Sequence, residues 1–299
     1  MKRKVVKQAG GAYTITLPIE WVRDNGIKKG CEVDLKINGK SLHIRNEGDV
    51  KVKKIKINVS GFNFKKVYLH LNSLYSAGFD EIEVVSDKDI SSLLVRAVDS
   101  LLGYALVSSC GGKCVLKDIG GGGNADLNEI FKRVFQAVLQ FYENCIDDIF
   151  GEEKETQEGS SMRDKEINKL CLYLERSINK MSFGNSTYER SLFTYAFELE
   201  RIADNIIRLW RANIIDKPKK SGKLNDLALD VKKMLANSFD LFYNFNSTYL
   251  EKSYTLRENV RKAGGFSKGE ERLSRYMFEI NESIVDLNPL ILMMRLVEK

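Results

Sequence analysis

The strongest constraint on how this chain can fold is the spacing of apolar residues over 126–299. Apolar side chains recur there three and four positions apart, as in NEIFKRVFQAVLQFYENCIDDIF. This period places them on one face of an α-helix, so the region is predicted to be helical throughout. KPKKSG at 217–222 interrupts the pattern, because Pro218 and Gly222 are unfavourable inside a helix.

The two parts of this helical body resemble each other. LNDLALDVKKMLANSFDLFYNF repeats the aromatic and apolar positions of LNEIFKRVFQAVLQFYENC, and YMFEINESIVDL repeats those of YAFELERIADNI. Two three-helix bundles in tandem explain these repeats better than one irregular bundle. We place the first bundle at 124–216 and the second at 223–299.

A small α/β domain is predicted at 51–119, where strand-like and helix-like patterns alternate in the order β-α-β-α-β-β. Ser86 is the expected N-cap of its second helix. The glycines at 120–123 are followed neither by a helix with Lys-Ser/Thr nor by the spacing of a dinucleotide fingerprint, so we interpret them as a flexible linker and not as a phosphate-binding loop.

Residues 1–50 contain short alternating strands, AYTITLP, CEVDLKI and SLHIR, around one short helix, IEWVRDNGI. About 45 residues bury too little apolar surface to be stable alone. This module is therefore expected to take its missing core from a second copy and to make the protein a homodimer. The whole chain is predicted to be a multidomain α+β protein.

Positive charge is concentrated at the start of the chain. Residues 1–56 hold 14 Lys and Arg against 6 Asp and Glu, a net charge of +8, whereas the whole chain carries +6. This asymmetry favours a polyanionic partner, although lysines also keep strand edges soluble. The 5 scattered cysteines and the lack of an apolar run of ~20 residues predict a cytoplasmic protein with reduced thiols and no transmembrane segment.

The N-terminal module resembles the AbrB/SpoVT swapped-hairpin family over residues 3–45. The segment RKVVKQAGGAYTITLPIEWVRDNGIKKGCEVDLKI has the family's order of basic strand, glycine, strand ending in LP, short helix and glycine turn. At the end of that turn, Gly30-Cys31-Glu32 stands in place of the family's Gly-Asp.

That resemblance implies two chains with interleaved hairpins, and basic side chains that touch DNA phosphates. The residues expected to make these contacts are Arg3, Lys4, Lys7 and Arg23. Two positions that are often arginine in the DNA-binding members are occupied here by Ala12 or Tyr13 and by Val22. Dimerisation without DNA contact therefore remains an alternative.

The helical segment FELERIADN places Glu200 and Asp204 one turn apart, where two like charges repel each other mildly. Arg208 and Arg201 can relieve this repulsion, since they lie four residues after Asp204 and three before it. This pairing on the surface is the simpler explanation of the motif.

A metal site is the other explanation. Asp164 and Asn168 have the same spacing on the preceding helix, and an antiparallel neighbour would bring them opposite Glu200 and Asp204. Four oxygen donors from two helices suit Mg, Mn or Fe. From the residues alone both explanations stay open.

The pair of motifs DKEIN and ELERIAD is similar to the paired acidic motifs of PhoU, the regulator of phosphate uptake. The resemblance spans about 126–297 and implies tandem three-helix bundles with a carboxylate-bound metal of divalent or iron type. In the second half, Asn281 and Val285 stand at the positions of Glu200 and Asp204, so no more than one site is expected. The chain as a whole looks like an archaeal PhoU-type regulator fused to an AbrB-like domain.

We predict that the protein is not an enzyme. Ferritin-like di-metal enzymes take histidine ligands from their bundle, whereas His43 and His70 both precede the helical body. The first hypothesis is a DNA-binding transcriptional regulator of phosphate uptake with a sensing or docking body. The alternative is an adaptor that binds a phosphate transporter or a histidine kinase and uses its N-terminal module only to dimerise.

Overall fold

The computed structural model describes residues 3–38, 41–45, 52–120, 126–151, 156–181 and 185–297. The chain divides into two compact units, Met1–Val52 and Lys53–Lys299. The predicted mixture of a small N-terminal β region and a C-terminal helical body is confirmed. The predicted domain boundaries at residues 50, 51 and 124, and most of the glycine linker, lie outside the described residues.

In its described residues, the first unit contains two short hairpins and one helix. Its elements are β1 (Val5–Lys7), β2 (Tyr13–Ile15), α1 (Ile19–Asp24), β3 (Asp34–Asn38) and β4 (Ser41–Arg45). β1 pairs antiparallel with β2, and β3 pairs antiparallel with β4. Gly10 and Gly11 turn the first hairpin at φ values of 91° and 87°, which residues with a Cβ rarely adopt.

The second unit begins with a four-stranded sheet in the order β5-β6-β8-β7. Its elements follow the predicted order and are β5 (Lys54–Asn58), α2 (Phe64–Ser76), β6 (Glu81–Val85), α3 (Ser91–Val98), β7 (Tyr104–Cys110) and β8 (Lys113–Asp118). β5 and β6 run parallel, and the other pairs are antiparallel. Buried residues of β6 and β8 pack with α2 and α3 in one core.

Helix α3 begins at Ser91, so the prediction of Ser86 as its N-cap is wrong. Ser86 Oγ instead accepts a hydrogen bond from the amide of Lys88 at 3.2 Å. Asp89 Oδ1 accepts one from the amide of Ser91 at 2.9 Å. These short polar side chains bond to nearby backbone amides and hold the segment in turns, which delays the start of the helix.

The described part of the chain continues with six helices. They are α4 (Leu127–Phe150), α5 (Gln157–Lys180), α6 (Ser186–Asp216), α7 (Gly222–Tyr243), α8 (Ser247–Lys262) and α9 (Glu271–Val297). Buried apolar residues from all six belong to one continuous core. No helix of the described residues is both long enough and apolar enough to cross a membrane.

The helices begin where the sequence provides capping side chains. Asp126, Thr156, Asn185, Ser221 and Asn246 each accept hydrogen bonds from first-turn amides, which have no partner inside a helix. Such caps stabilise a helix end by about 1 kcal/mol each. The break between α6 and α7 at 217–221 therefore contains both Pro218 and the N-cap of α7, Ser221.

Arg176 on α5 joins the sheet part of the second unit to the helical part. Its side chain is only 3% exposed and forms ion pairs with Asp80 at 2.8 Å and Asp118 at 2.7 Å. It also donates hydrogen bonds to the carbonyl oxygens of Tyr75 and Phe79. A buried guanidinium is stable only when its donors are satisfied in this way.

The sheet part and the helical part are thus in direct contact through buried charges. The sequence predicts them as separate domains, 51–119 followed by the two bundles. That division into independent domains, and the identity of the bundles as PhoU-like repeats, stay predictions.

Arg176→Ala should lower the free energy of unfolding by about 3 kcal/mol, because it leaves two partly buried carboxylates without the cation that joins them. Lys180, which is 2.5 Å from Asp80, limits the loss. Urea denaturation at neutral pH measures this change. The control is Arg133→Ala, which removes an exposed pair with Glu129 and should cost less than about 1 kcal/mol. An equal loss of unfolding free energy in the two variants would contradict the conclusion that Arg176 joins the sheet part to the helical part.

Candidate functional site

The first candidate site is the N-terminal module, whose apolar side chains lie open to solvent. None of its residues whose burial is described is buried. On the β3–β4 hairpin, Leu35 lies opposite Ile44 and Ile37 lies opposite Leu42, so these four share one side. The exposed fractions are 78% for Ile37, 61% for Leu35 and 52% for Leu42. A contiguous apolar side of this kind normally marks an interface.

The four predicted DNA-contacting residues all lie on the surface of this module. Arg3 and Lys4 precede β1, Lys7 is its last residue, and Arg23 lies in the last turn of α1. All four side chains are exposed. The module can therefore present cations to an anionic partner while its apolar hairpin side is covered.

The second candidate site lies between α5 and α6, where the predicted metal ligands approach one another. Burial, and then the charge of Asp204, raises the pKa of Asp164 to about 6. Burial, followed by the charges of Glu175, Asp204 and Asp164, raises the pKa of Glu200 to about 7. The structure thus brings these carboxylates together in a partly buried acidic cluster.

The members of this cluster differ in how their charges are balanced. Arg208 donates a hydrogen bond to Asp204 at 2.8 Å, so the arginine pairing allowed by the sequence is present. By contrast, Asp164 Oδ1 and Asn168 Oδ1 are buried and have no hydrogen-bond partner among the residues that the structure describes. Unpartnered buried oxygens are costly and call for an explanation.

The oxygen donors of the cluster are of a type that binds metal ions, but their present spacing does not suit a metal ion. Carboxylate and amide oxygens are suitable ligands for hard cations. Within the described ranges, however, no three His, Cys, Asp or Glu side chains are arranged to hold a metal ion. Metal binding by Asp164, Asn168, Glu200 and Asp204 therefore stays a prediction.

Glu175 belongs to this cluster, and the sequence reasoning missed it. Its side chain is 5% exposed, burial raises its pKa, and it accepts a hydrogen bond from Ser76 Oγ on α2 at 2.6 Å. At about 100° per residue, Glu175 lies on the same stripe of α5 as Asp164 and Asn168. That periodicity was the signal that could have identified it.

Comparison with known proteins supports the family resemblance of the N-terminal module, which is the first candidate site. Residues 6–54 match the family model of MazE, described as antidote-toxin recognition, bacterial antitoxin. No curated protein and no solved structure matches the chain. The N-terminal module is therefore MazE/AbrB-like, in agreement with the swapped-hairpin resemblance. The resemblance of the helical body to PhoU, and the archaeal origin, stay predictions.

Glu200→Gln should stabilise the protein by an amount that grows between pH 5 and pH 8. Because burial raises the pKa of Glu200 from 4.5 to about 7, the folded state holds this proton more tightly than the unfolded chain. Wild-type stability therefore falls as the pH rises through this range, whereas glutamine has no such proton. The advantage at pH 8 is on the order of 1–3 kcal/mol.

Urea denaturation in the presence of EDTA measures this effect at both pH values. Glu251→Gln, on the exposed side of α8, is the matched control and should change stability equally at the two pH values. A pH-independent effect of Glu200→Gln would show that Glu200 does not carry the raised pKa.

Proposed function

We propose that the protein is a homodimeric DNA-binding regulator and that its N-terminal module binds duplex DNA. The observation that carries this proposal is the open apolar side of the β3–β4 hairpin, on a module that also matches the MazE family model. Modules of the MazE/AbrB type commonly dimerise and bind DNA. A second copy would cover the apolar side and complete the core.

DNA binding would follow from neutralisation of phosphates. A dimer brings together two sets of the four exposed cations, which displace counterions condensed on the duplex. This contribution does not depend on base sequence, so it positions the module and leaves base recognition to other contacts. Affinity should consequently fall steeply as the salt concentration rises.

Replacing Arg3, Lys4, Lys7 and Arg23 together by Gln should weaken binding of the full-length protein to duplex DNA. Each lost phosphate contact lowers the slope of log affinity against log salt by about 0.9. Fluorescence anisotropy with a labelled duplex, titrated at several salt concentrations, measures both quantities. The matched control replaces four exposed lysines of the second unit, Lys66, Lys132, Lys165 and Lys252, and should retain more of the slope. Wild-type protein that does not bind duplex at low salt would refute DNA binding.

For the helical body we propose a PhoU-like sensing or docking role in the regulation of phosphate uptake. The support is the pair of acidic motifs on α5 and α6. The alternative is an adaptor that captures a phosphate transporter or a histidine kinase through this body, with the N-terminal module serving only as a dimeriser. A protein that dimerises but fails to bind DNA would favour the adaptor. We propose no enzymatic activity in either case.

We also propose that the acidic cluster draws together around a hard divalent cation, because Asp164 Oδ1 and Asn168 Oδ1 are buried without hydrogen-bond partners in the described part of the chain. The ligands would be Asp164, Asn168, Glu200 and Asp204. A cation would reduce the repulsion among the carboxylates and favour their charged forms.

Addition of MnCl₂ to chelator-treated protein should then raise the thermal unfolding midpoint, because a ligand that binds the folded state stabilises it. The double variant Glu200→Gln/Asp204→Asn should lose this shift and bound metal together. Glu251→Gln/Glu258→Gln, two exposed changes on α8, should keep both. An equal metal content in all three proteins would contradict metal binding by the cluster. The ion pair of Arg208 with Asp204 would then be what reduces the repulsion among the carboxylates.

A further inference from the structure

A second basic surface lies at one end of the helical body, far along the chain from the N-terminal module. It is formed by two segments, 217–223 and 262–269. They contain the loops between α6 and α7 and between α8 and α9, together with the first two residues of α7 and the last residue of α8. We call it the lysine pole. Its cations, all exposed, are Lys217, Lys219, Lys220, Lys223, Lys262 and Lys268.

The two loops are held against each other. Glu270, 2% exposed, accepts hydrogen bonds from the amide of Ser221 at 2.7 Å and from the amide of Ser267 at 2.9 Å. Pro218 lies 3.3 Å from the position that a Cβ on Gly269 would occupy. The lysines are therefore presented on one fixed surface rather than on two separate loops.

The six lysines of the lysine pole outnumber the acidic residues that flank them. Neither segment contains Asp or Glu. Of the acids that flank these segments, Asp216 pairs with Arg272 at 3.3 Å and Glu270 is buried among its serine donors, whereas Asp226 and Glu271 are exposed. A concentrated cationic surface of this kind attracts polyanions over a distance of about 10 Å at 0.1 M salt.

We propose that the lysine pole binds the phosphate backbone of duplex DNA outside the segment held by the N-terminal module. This inference rests on the proposed DNA-binding function. The helical body would then make a second DNA contact, tethered through the chain to the contact of the N-terminal module. Because the two contacts are linked, a modest affinity at the lysine pole adds strongly to the overall affinity for DNA. Each lysine acts as a point charge toward a phosphate and reads no base sequence.

The composition of the loops favours DNA over a lipid surface. Gly222 and Gly264 have no atom within 4 Å of an added Cβ, so a phosphate chain can approach the backbone closely. The aromatic residue of the two loops, Phe266, is half-buried and lies 6.2 Å from the ring of Phe278. It does not project outward as membrane-inserting side chains do. Ile215, which is 67% exposed beside the pole, is the reason to test vesicles as well.

The experiment compares full-length wild-type protein with the triple variant Lys219→Gln/Lys220→Gln/Lys223→Gln. Binding is measured against a short duplex of about 15 bp and a long duplex of about 45 bp, both of arbitrary sequence, over a range of salt concentrations. The matched control is Lys132→Gln/Lys165→Gln/Lys252→Gln, which removes the same charge from exposed helix positions. Circular dichroism confirms that all three proteins are folded.

The pole variant is expected to match wild type on the short duplex and to bind the long duplex more weakly. Its salt slope on the long duplex should fall by about 2 to 3, since three phosphate contacts are lost. The control should keep the wild-type slope. Vesicles that contain anionic phospholipid should bind wild type and the pole variant equally.

Three other results would overturn the inference. If wild type binds both duplexes and the pole variant is indistinguishable from the control, the pole makes no DNA contact, while the proposed function stands. If the variant loses vesicle binding but not affinity for the long duplex, the pole is a lipid surface. If wild type binds neither duplex, the proposed function itself fails and the inference fails with it.

Discussion

The apolar hairpin side of the N-terminal module is the constraint on which the functional account depends. A segment of this size cannot bury enough apolar surface to offset the entropy of its own ordering. Ile37 and Leu35 are accordingly more than half exposed in the single chain. If a second chain covers this side, the dimer fixes two sets of cations relative to each other. Cations ordered in this way would form the proposed DNA-binding surface, whereas cations on an unstable module would not.

In the second unit, two groups of buried charges have different consequences. Arg176 is surrounded by carboxylates and carbonyl oxygens that satisfy it, so it joins the sheet part to the helical part. The neighbouring acidic cluster is only partly satisfied, because no described residue forms a hydrogen bond with Asp164 Oδ1. Helix α5 carries Arg176 and part of the cluster, including Glu175, which bonds to Ser76 on α2. A ligand at the cluster would therefore act on a helix that already contacts the sheet.

Local patterns in the sequence were sufficient to predict most of the elements. The three-and-four spacing predicts the long helices because burial of one apolar face is a property of each helix alone. Ser86 shows the limit of such reasoning: its segment forms turns through side-chain bonds that compete with helix formation. The approach of Glu200 to Asp164 was foreseen by assuming antiparallel neighbours. The pairing of Arg176 with Asp80 and Asp118 was not foreseen, because contacts between distant segments have no local signature.

The most direct test of the account is the mass of the protein in solution. Sedimentation equilibrium at micromolar concentration should give twice the chain mass of 34.1 kDa for wild type. The variant Ile37→Glu/Leu42→Glu should approach the mass of one chain, because it places charge on the side that a second copy covers. Leu69→Glu, at a position 63% exposed on α2, should remain dimeric. A monomeric wild type, or an Ile37→Glu/Leu42→Glu variant that is still fully dimeric, would contradict the claim that the module is completed by a second chain.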